Sequence, residues 1–288
     1  MAPRRGRDST LLRVLRRPKG AIGLLLLVGL TLLAILAPYV ATRDPLQQNL
    51  RWRNQPPGSV LGDPGKVSWL GTDQLGRDMF SRILHGTRVS LLVAIFAVGV
   101  AGVVGTALGV LSGYAGGVLD TVIMRVVDLQ LSLPLILIAM VWIAFTNPSL
   151  LNIIMVIAFW TWTQYARVVR AHTLSVKESG FIESARAIGT PKLMILLRHV
   201  LPNVFSSVLV IASLQFGRAI ILEATLSFLG VGLQPPAPAL GVMIASGRQY
   251  VDTAWWLATM PGIVIMLLAL GTNFLGDTLR DVWDPKLR

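Results

Sequence analysis

The sequence predicts an all-α integral membrane protein with six transmembrane helices, and three observations predict it. Of 288 residues, 53% are apolar and 14% charged, against about 25% charged in an average soluble domain. Asp, Glu, Lys and Arg are absent from five long windows, 20–42, 89–119, 129–166, 199–217 and 253–276, and a helical span needs about 20 apolar residues. The longest window is divided by Asn147-Pro148-Ser149, a turn-forming cluster that makes two spans of one run. In a soluble chain the net charge of +12 would suggest nucleic acid. Here most of the excess lies in loops and tails, where it reads as a topology signal, with no nucleic-acid partner. The chain has no cysteine, which excludes disulfides, thiolate metal sites and a cysteine nucleophile.

In chain order, a basic tail, 1–20, precedes the first span, 21–41. Ala37-Pro38-Tyr39 is a poor small-residue cleavage site and the apolar run is long for a signal peptide, so this span is expected to be retained. A loop, 42–88, follows; Pro56-Pro57 and Asp63-Pro64-Gly65 preclude long regular elements in it. Spans over 89–112, 122–145, 150–167, 204–225 and 255–276 form a five-helix core, 89–276, and 277–288 is a tail. In the second span Gly99, Gly102, Gly105 and Gly109 recur at three- and four-residue steps, which lets a neighbouring helix approach closely. Arg125 and Asp128 in the third span have the spacing of an i,i+3 ion pair. Trp160, Trp162, Trp255 and Trp256 lie near span ends, where indoles sit at headgroup level. Six spans place both termini on one side, which carries 16 Lys and Arg against eight on the other. The positive-inside rule puts that side in the cytoplasm.

The long loop 168–203 then reads as helix, break and second helix. Phe181, Ile182, Ala185 and Ile188 recur near helical spacing, and Gly189 suits the left-handed position after a helix end. Thr190 is expected to cap, Pro191 to open the next helix, and Pro202 to close it where the chain re-enters the bilayer. A short, basic, partly apolar helix outside the membrane could rest on anionic lipid, fold onto the spans or dock a cytoplasmic partner.

Glu183-Ser184-Ala185, Gly189 and Val200-Leu201-Pro202-Asn203 resemble the EAA loop of permease subunits in bacterial ATP-binding-cassette importers, with Ser184 where Ala is usual. Two further segments narrow the resemblance. Trp69-Leu70-Gly71-Thr72-Asp73-Gln74-Leu75-Gly76-Arg77-Asp78, continuing to Gly86-Thr87-Arg88-Val89-Ser90, is similar to the C-type permease of dipeptide, oligopeptide and nickel importers. So are Leu226-Ser227-Phe228-Leu229-Gly230-Val231-Gly232, Trp255-Trp256 and Leu275-Gly276-Asp277-Thr278-Leu279-Arg280-Asp281 with Asp284-Pro285. The likeness covers roughly residues 10–288. It implies a type I importer permease fold in the bacterial inner membrane, with a cytoplasmic coupling helix at 176–189 inserted into an ATPase subunit. It makes Glu183, Ser184, Ala185, Arg186, Gly189, Leu201 and Pro202 the ATPase-coupling residues. The implied partners are a B-type permease subunit in a heterodimer, two cytoplasmic ATP-binding subunits, an extracytoplasmic substrate-binding protein received by 42–88 and 226–254, and the lipid bilayer. The implied function is alternating-access import of di- or oligopeptides. Nickel or another small solute is the alternative within the branch, and a basic membrane-anchored interaction protein is the alternative of another class.

No Gly-x-x-x-x-Gly-Lys-Ser/Thr loop occurs in the sequence, so the usual cradle for ATP phosphates is missing. The chain is therefore expected to be no enzyme and to carry no cofactor, with ATP hydrolysed in partner subunits. His85, His172 and His199 are far apart in sequence and none lies mid-span, so no metal site is expected. Arg218 and Glu223 fall in the fifth span, where a central charge costs roughly 2.5–3.5 kcal/mol on insertion scales. They lie about 140° apart around a helix and are not expected to pair; Gln215 and Arg218, three apart, would share a face. Gln215, Arg218 and Glu223 are the candidate pathway or permease-interface residues.

Overall fold

The computed structural model describes residues 10–62 and 67–283. The tail before Thr10, Asp63-Pro64-Gly65 and Asp284-Pro285 with Lys286 and Arg288 lie outside the described residues. A short helix α1 (Thr10–Leu15) leads into α2 (Pro18–Ile35), with Pro18 at the helix start, where its missing N–H is harmless. After α3 (Ala37–Val40) the first loop holds a 3₁₀ turn, Leu50–Trp52, and two antiparallel two-residue strands, β1 (Ser59–Val60) and β2 (Val67–Ser68), paired Ser59 to Ser68 and Val60 to Val67. The helix α4 (Met79–Ala115) then starts well before residue 89. Asp78 accounts for the early start, because its carboxylate accepts the Ser81 N–H at 2.9 Å and caps the first turn.

The third expected span is broken. It consists of α5 (Gly117–Ser132) and α6 (Leu135–Phe145), bent by 92° at the break between them. Pro134 cannot donate to the helix and disfavours helical backbone at the residue before it; Leu133 is accordingly extended, at φ −91° and ψ 133°. At Asn147-Pro148-Ser149 the chain turns as expected, and the Ser149 hydroxyl accepts the Asn152 N–H at 3.2 Å to start α7 (Leu150–Lys177). A short helix α8 (Gly180–Ala187) follows, then α9 (Lys192–Ile195), α10 (Leu201–Phe228), α11 (Leu240–Gly247) and α12 (Trp256–Trp283). Two details of the loop differ from expectation. Pro191, not Thr190, is the cap residue of α9. Pro202 ends nothing: a π-helical turn, Leu196–Val200, joins α9 to α10 in one run from Lys192 to Phe228. The wider turn gives the proline ring room where an α-turn would bring a carbonyl against it.

Among the described residues four helices are long and apolar enough to cross a membrane: α2, α4, the run Lys192–Phe228 and α12, with α5 and α6 together a fifth. The 28-residue α7 is not among them; from Thr161 onward it carries Thr161, Thr163, Gln164, Arg167 and Arg170. It is nevertheless central, since Ile153, Val156, Ile157, Tyr165, Ala166 and Val169 are all buried.

Helices α4 and α7 run parallel and meet backbone to backbone. A Cβ on Gly105 would lie 2.5 Å from Tyr165 Cβ, one on Gly109 2.7 Å from the Ala166 carbonyl, and one on Gly113 2.9 Å from the Arg170 carbonyl. Of the four glycines singled out in the sequence, Gly105 and Gly109 make this seam and Gly113 extends it. Gly99 faces open space, and Gly102 has ordinary contact with Tyr165. Elsewhere α2 lies antiparallel to α12, where Gly23 comes against the Leu275 backbone. Arg17 Nη1 pairs with Asp281 Oδ2 at 2.6 Å, so both ends of the described chain lie on one side.

Replacing Gly109 with alanine is expected to lower the stability of the purified complex by about 1–3 kcal/mol, because the backbone it meets cannot swing away. Gly99→Ala should leave the thermal midpoint unchanged or higher, alanine being the better helix former. Equal midpoints for the two variants would show that the seam does not hold the helices together.

Candidate functional site

At the end of α7 the chain reverses into α8, which is amphipathic in place as well as in sequence. Ile182 and Ala185 are buried in a cluster with Val110 of α4, Val169 of α7, Ile195, Val200 and Val204. Glu183, Ser184 and Arg186 point outward. The Ser184 hydroxyl donates back to the Gly180 carbonyl at 2.8 Å, and the Arg186 guanidinium lies 5.5 Å from the centre of the Tyr114 ring at the end of α4. Lys177 Nζ donates to the Gly113 carbonyl at 3.1 Å, which ties the start of the turn to the same end of α4.

The end of α8 is closed by two backbone bonds, Thr190 N–H to Ala185 O at 3.1 Å and Gly189 N–H to Arg186 O at 3.0 Å, with Gly189 at φ +80°. This is the turn that the position of Gly189 predicted, and a β-branched residue would be strained there. Phe181 and Ile188 before this turn and Leu193, Met194 and Leu197 after it are exposed. Leu201 packs against the cluster that holds Ile182 and Ala185, and Pro202 is exposed beside it. Of the seven residues expected to act together, Glu183, Ser184, Arg186, Gly189 and Pro202 are exposed, while Ala185, buried, and Leu201, half-buried, share one cluster.

The three candidate residues of α10 do not converge. Glu223 is fully buried and accepts hydrogen bonds from Ser90 Oγ of α4 at 2.6 Å and Ser227 Oγ at 2.9 Å. Gln215 is buried as well, whereas Arg218, three residues on along the same helix, is exposed. Between α4 and α10, toward the α8 end, runs an open apolar groove of about 680 Å³ floored by Tyr165. The hydroxyls of Thr106 and Tyr165 in its wall have no hydrogen-bond partner among the described residues.

Several ties went unread in the sequence. On the side opposite α8, Asp78 also accepts from Thr42 Oγ1 and Ser81 Oγ at 2.8 Å and from Ser68 Oγ at 2.7 Å, while Asp73 pairs with Arg77 Nε at 2.6 Å and lies 3.6 Å from Arg82 Nε. The signal available for Asp78 was its place three residues before Ser81 at a helix start. Asp128 pairs with Arg167 of α7, Nη2 to Oδ1 at 2.7 Å, and not with Arg125. Trp162 and Trp256 are buried within the protein: Trp162 Nε1 donates to Gln130 Oε1 at 3.0 Å and Trp256 Nε1 to the Thr72 carbonyl at 3.2 Å.

Comparison with known proteins places this arrangement. Residues 105–288 match the family model described as binding-protein-dependent transport system inner membrane component, and residues 9–57 match the N-terminal TM domain of oligopeptide transport permease C. The dipeptide transport system permease protein DppC of Haemophilus influenzae is 40% identical over 95% of this chain and 92% of its own. The di/tripeptide transport system permease protein DppC of Pseudomonas aeruginosa is 39% identical over 94% and 89%. The glutathione transport system permease protein GsiD of Pectobacterium atrosepticum is 44% identical over 78% and 75%. Among solved structures, a chain of the MetNI methionine ABC transporter, determined in inward-facing conformations, superposes with a TM-score of 0.60 at 21% identity, over 72% of this chain and 98% of that one, which shows a common fold. The chain belongs to the binding-protein-dependent transport system inner membrane components, the permease subunits of ABC importers, which work with ATPase and substrate-binding partners.

Proposed function

We propose that this chain is the C-type permease of a di- or oligopeptide importer, forming half of the translocation path beside a B-type permease and driven by two ATP-binding subunits, one of which holds α8. The observation that carries this reading is α8 itself, a two-turn helix anchored from below by Ile182 and Ala185 and presenting Glu183, Ser184 and Arg186 outward. Its rigid anchor and glycine-closed end suit a part that is pushed: force applied to the exposed face passes through the buried side chains to α4 and α7. Peptide cargo rests on the names of the DppC relatives, and the nickel alternative has no counterpart among the relatives given above. ATP is hydrolysed in the partner subunits, and this chain uses no cofactor of its own.

In the same reading the membrane is crossed six times. The bent pair α5–α6 counts as one crossing, and α7 counts as another because its polar half is sheltered by α4, α5 and α10. Both ends then face the cytoplasm with α8, and the folded first loop and α11 receive the binding protein. The exposed Arg218 supports the heterodimer, since a charge on α10 facing lipid would cost roughly 2.5–3.5 kcal/mol; a second permease, or the water-filled path between the two, removes that cost. With the ATPases apart the path faces inward, and their closure on ATP pushes α8 and opens it outward.

Two measurements test these roles in the assembled transporter reconstituted in vesicles. Gly189→Val should lower dipeptide uptake about tenfold at unchanged ATP hydrolysis; wild-type uptake per ATP would remove the coupling role. Ile182→Asp should release α8 from its anchor and lower the yield of co-purifying ATP-binding subunits at least twofold while the permease pair remains intact. Retention of those subunits would show that they are held elsewhere.

A further inference from the structure

Helix α5 leaves α4 through Gly116 and Gly117, both at positive φ, +66° and +58°, with open space around each. A junction of two such residues is a flexible connection, because neither side chain nor packing stiffens it. At its other end α5 runs into the Leu133–Pro134 break, where the span bends by 92°. The covalent chain therefore fixes neither end of α5.

What fixes it is a row of polar contacts to α7. Asp120 receives Arg170 in two parallel bonds, Nε to Oδ1 at 2.5 Å and Nη2 to Oδ2 at 2.6 Å, and also accepts from Ser112 Oγ of α4. Further along, Asp128 meets Arg167, and Gln130 is held between the Trp162 indole and the Phe159 carbonyl. The first contact is the stronger of the two ion pairs between α5 and α7. It is bidentate, and its side chains are 17% and 31% exposed, against 60% and 54% for Asp128 and Arg167. It also stands where three helices meet, for the Arg170 carbonyl is the atom against which Gly113 closes the α4–α7 seam. From there to the end of α7 and the start of α8 is about two helical turns.

We infer that Asp120 and Arg170 are positioning residues for transport, a clamp that makes α5 ride with the helix carrying α8, so that movement of α8 is delivered to the broken span at Leu133–Pro134. The inference rests on the reading of α8 as the element moved by the ATPases. The clamp acts at a distance from cargo and nucleotide, so its loss should be read in the ratio of peptide taken up to ATP hydrolysed.

The test uses the assembled transporter in vesicles, and the absence of cysteine from the chain makes it clean. Asp120→Asn should lower uptake per ATP about five- to tenfold, with the subunits still co-purifying. Asp120→Glu, or the exchange Asp120→Arg with Arg170→Asp, should recover most of it. An unchanged ratio in Asp120→Asn would overturn the inference. Should those variants fail to assemble, the pair Asp120→Cys and Arg170→Cys keeps the question open to decision: joining the two thiols with a short bifunctional reagent should restore the ratio lost in the unjoined form. A joined form that transports no better would mean that the two helices must part during the cycle. A Gly189→Val transporter that remains coupled would sink the α8 reading, whereas an unchanged ratio in Asp120→Asn beside an uncoupled Gly189→Val would sink the clamp alone, so the two failures are distinguishable.

Discussion

The contact on which the rest of the molecule depends is the meeting of two backbones, α4 and α7, at Gly105, Gly109 and Gly113. In a bilayer there is no hydrophobic drive to bring helices together, and close van der Waals approach between small residues takes its place. Because the seam is parallel and continuous, it fixes the height of α7 against α4 and hence the point at which α8 emerges. The buried cluster under α8 is built from Val110 and Val169, residues that flank this seam. At the other end of α4, Ser90 reaches Glu223 and ties α10 to the same helix. The surface of α8, the buried Glu223 carboxyl and the Asp120–Arg170 contact of α5 thus all hang on one pair of helices.

Polar groups in this fold are spent on joints between helices. Glu223 is satisfied by two serine hydroxyls, Gln130 by an indole and a backbone carbonyl, and Asp120 by a guanidinium and a hydroxyl. Such groups are costly in hydrocarbon unless paired, and paired they fix which helix lies beside which. The first loop follows the rules of a soluble cap: Asp73 and Asp78 gather backbone N–H groups, hydroxyls and arginines, and Trp256 pins the loop to the start of α12.

Much of this was legible in the sequence, and the boundary between read and unread has a physical origin. Charge-free windows located the helices because hydrocarbon excludes charge, and Asn147-Pro148-Ser149 and Gly189 were legible because turns are written in local residue types. The break at Leu133–Pro134 was masked by the strongly apolar run around it, although a proline without an N–H was there to be noticed. Glycine spacing announced a close contact but not its face, since Gly99 and Gly105 look alike until a partner is placed. The pairing of Asp128 failed for the same reason: Arg125 is its neighbour in sequence, whereas Arg167 is its neighbour in space. Of the candidate site, the residues of α8 were legible through their motif. The positions of Gln215 and Arg218 were not, because burial on α10 is decided by α4 and α12.

The claim that α4 and α7 move as one body is tested most directly by a distance measured through the transport cycle. Spin labels on cysteines placed at Val104 and Val168, both exposed, report the separation of the two helices in the assembled transporter by pulsed electron resonance. The seam requires the same distance distribution without nucleotide and with ATP trapped. A nucleotide-dependent shift or splitting of that distribution would contradict it.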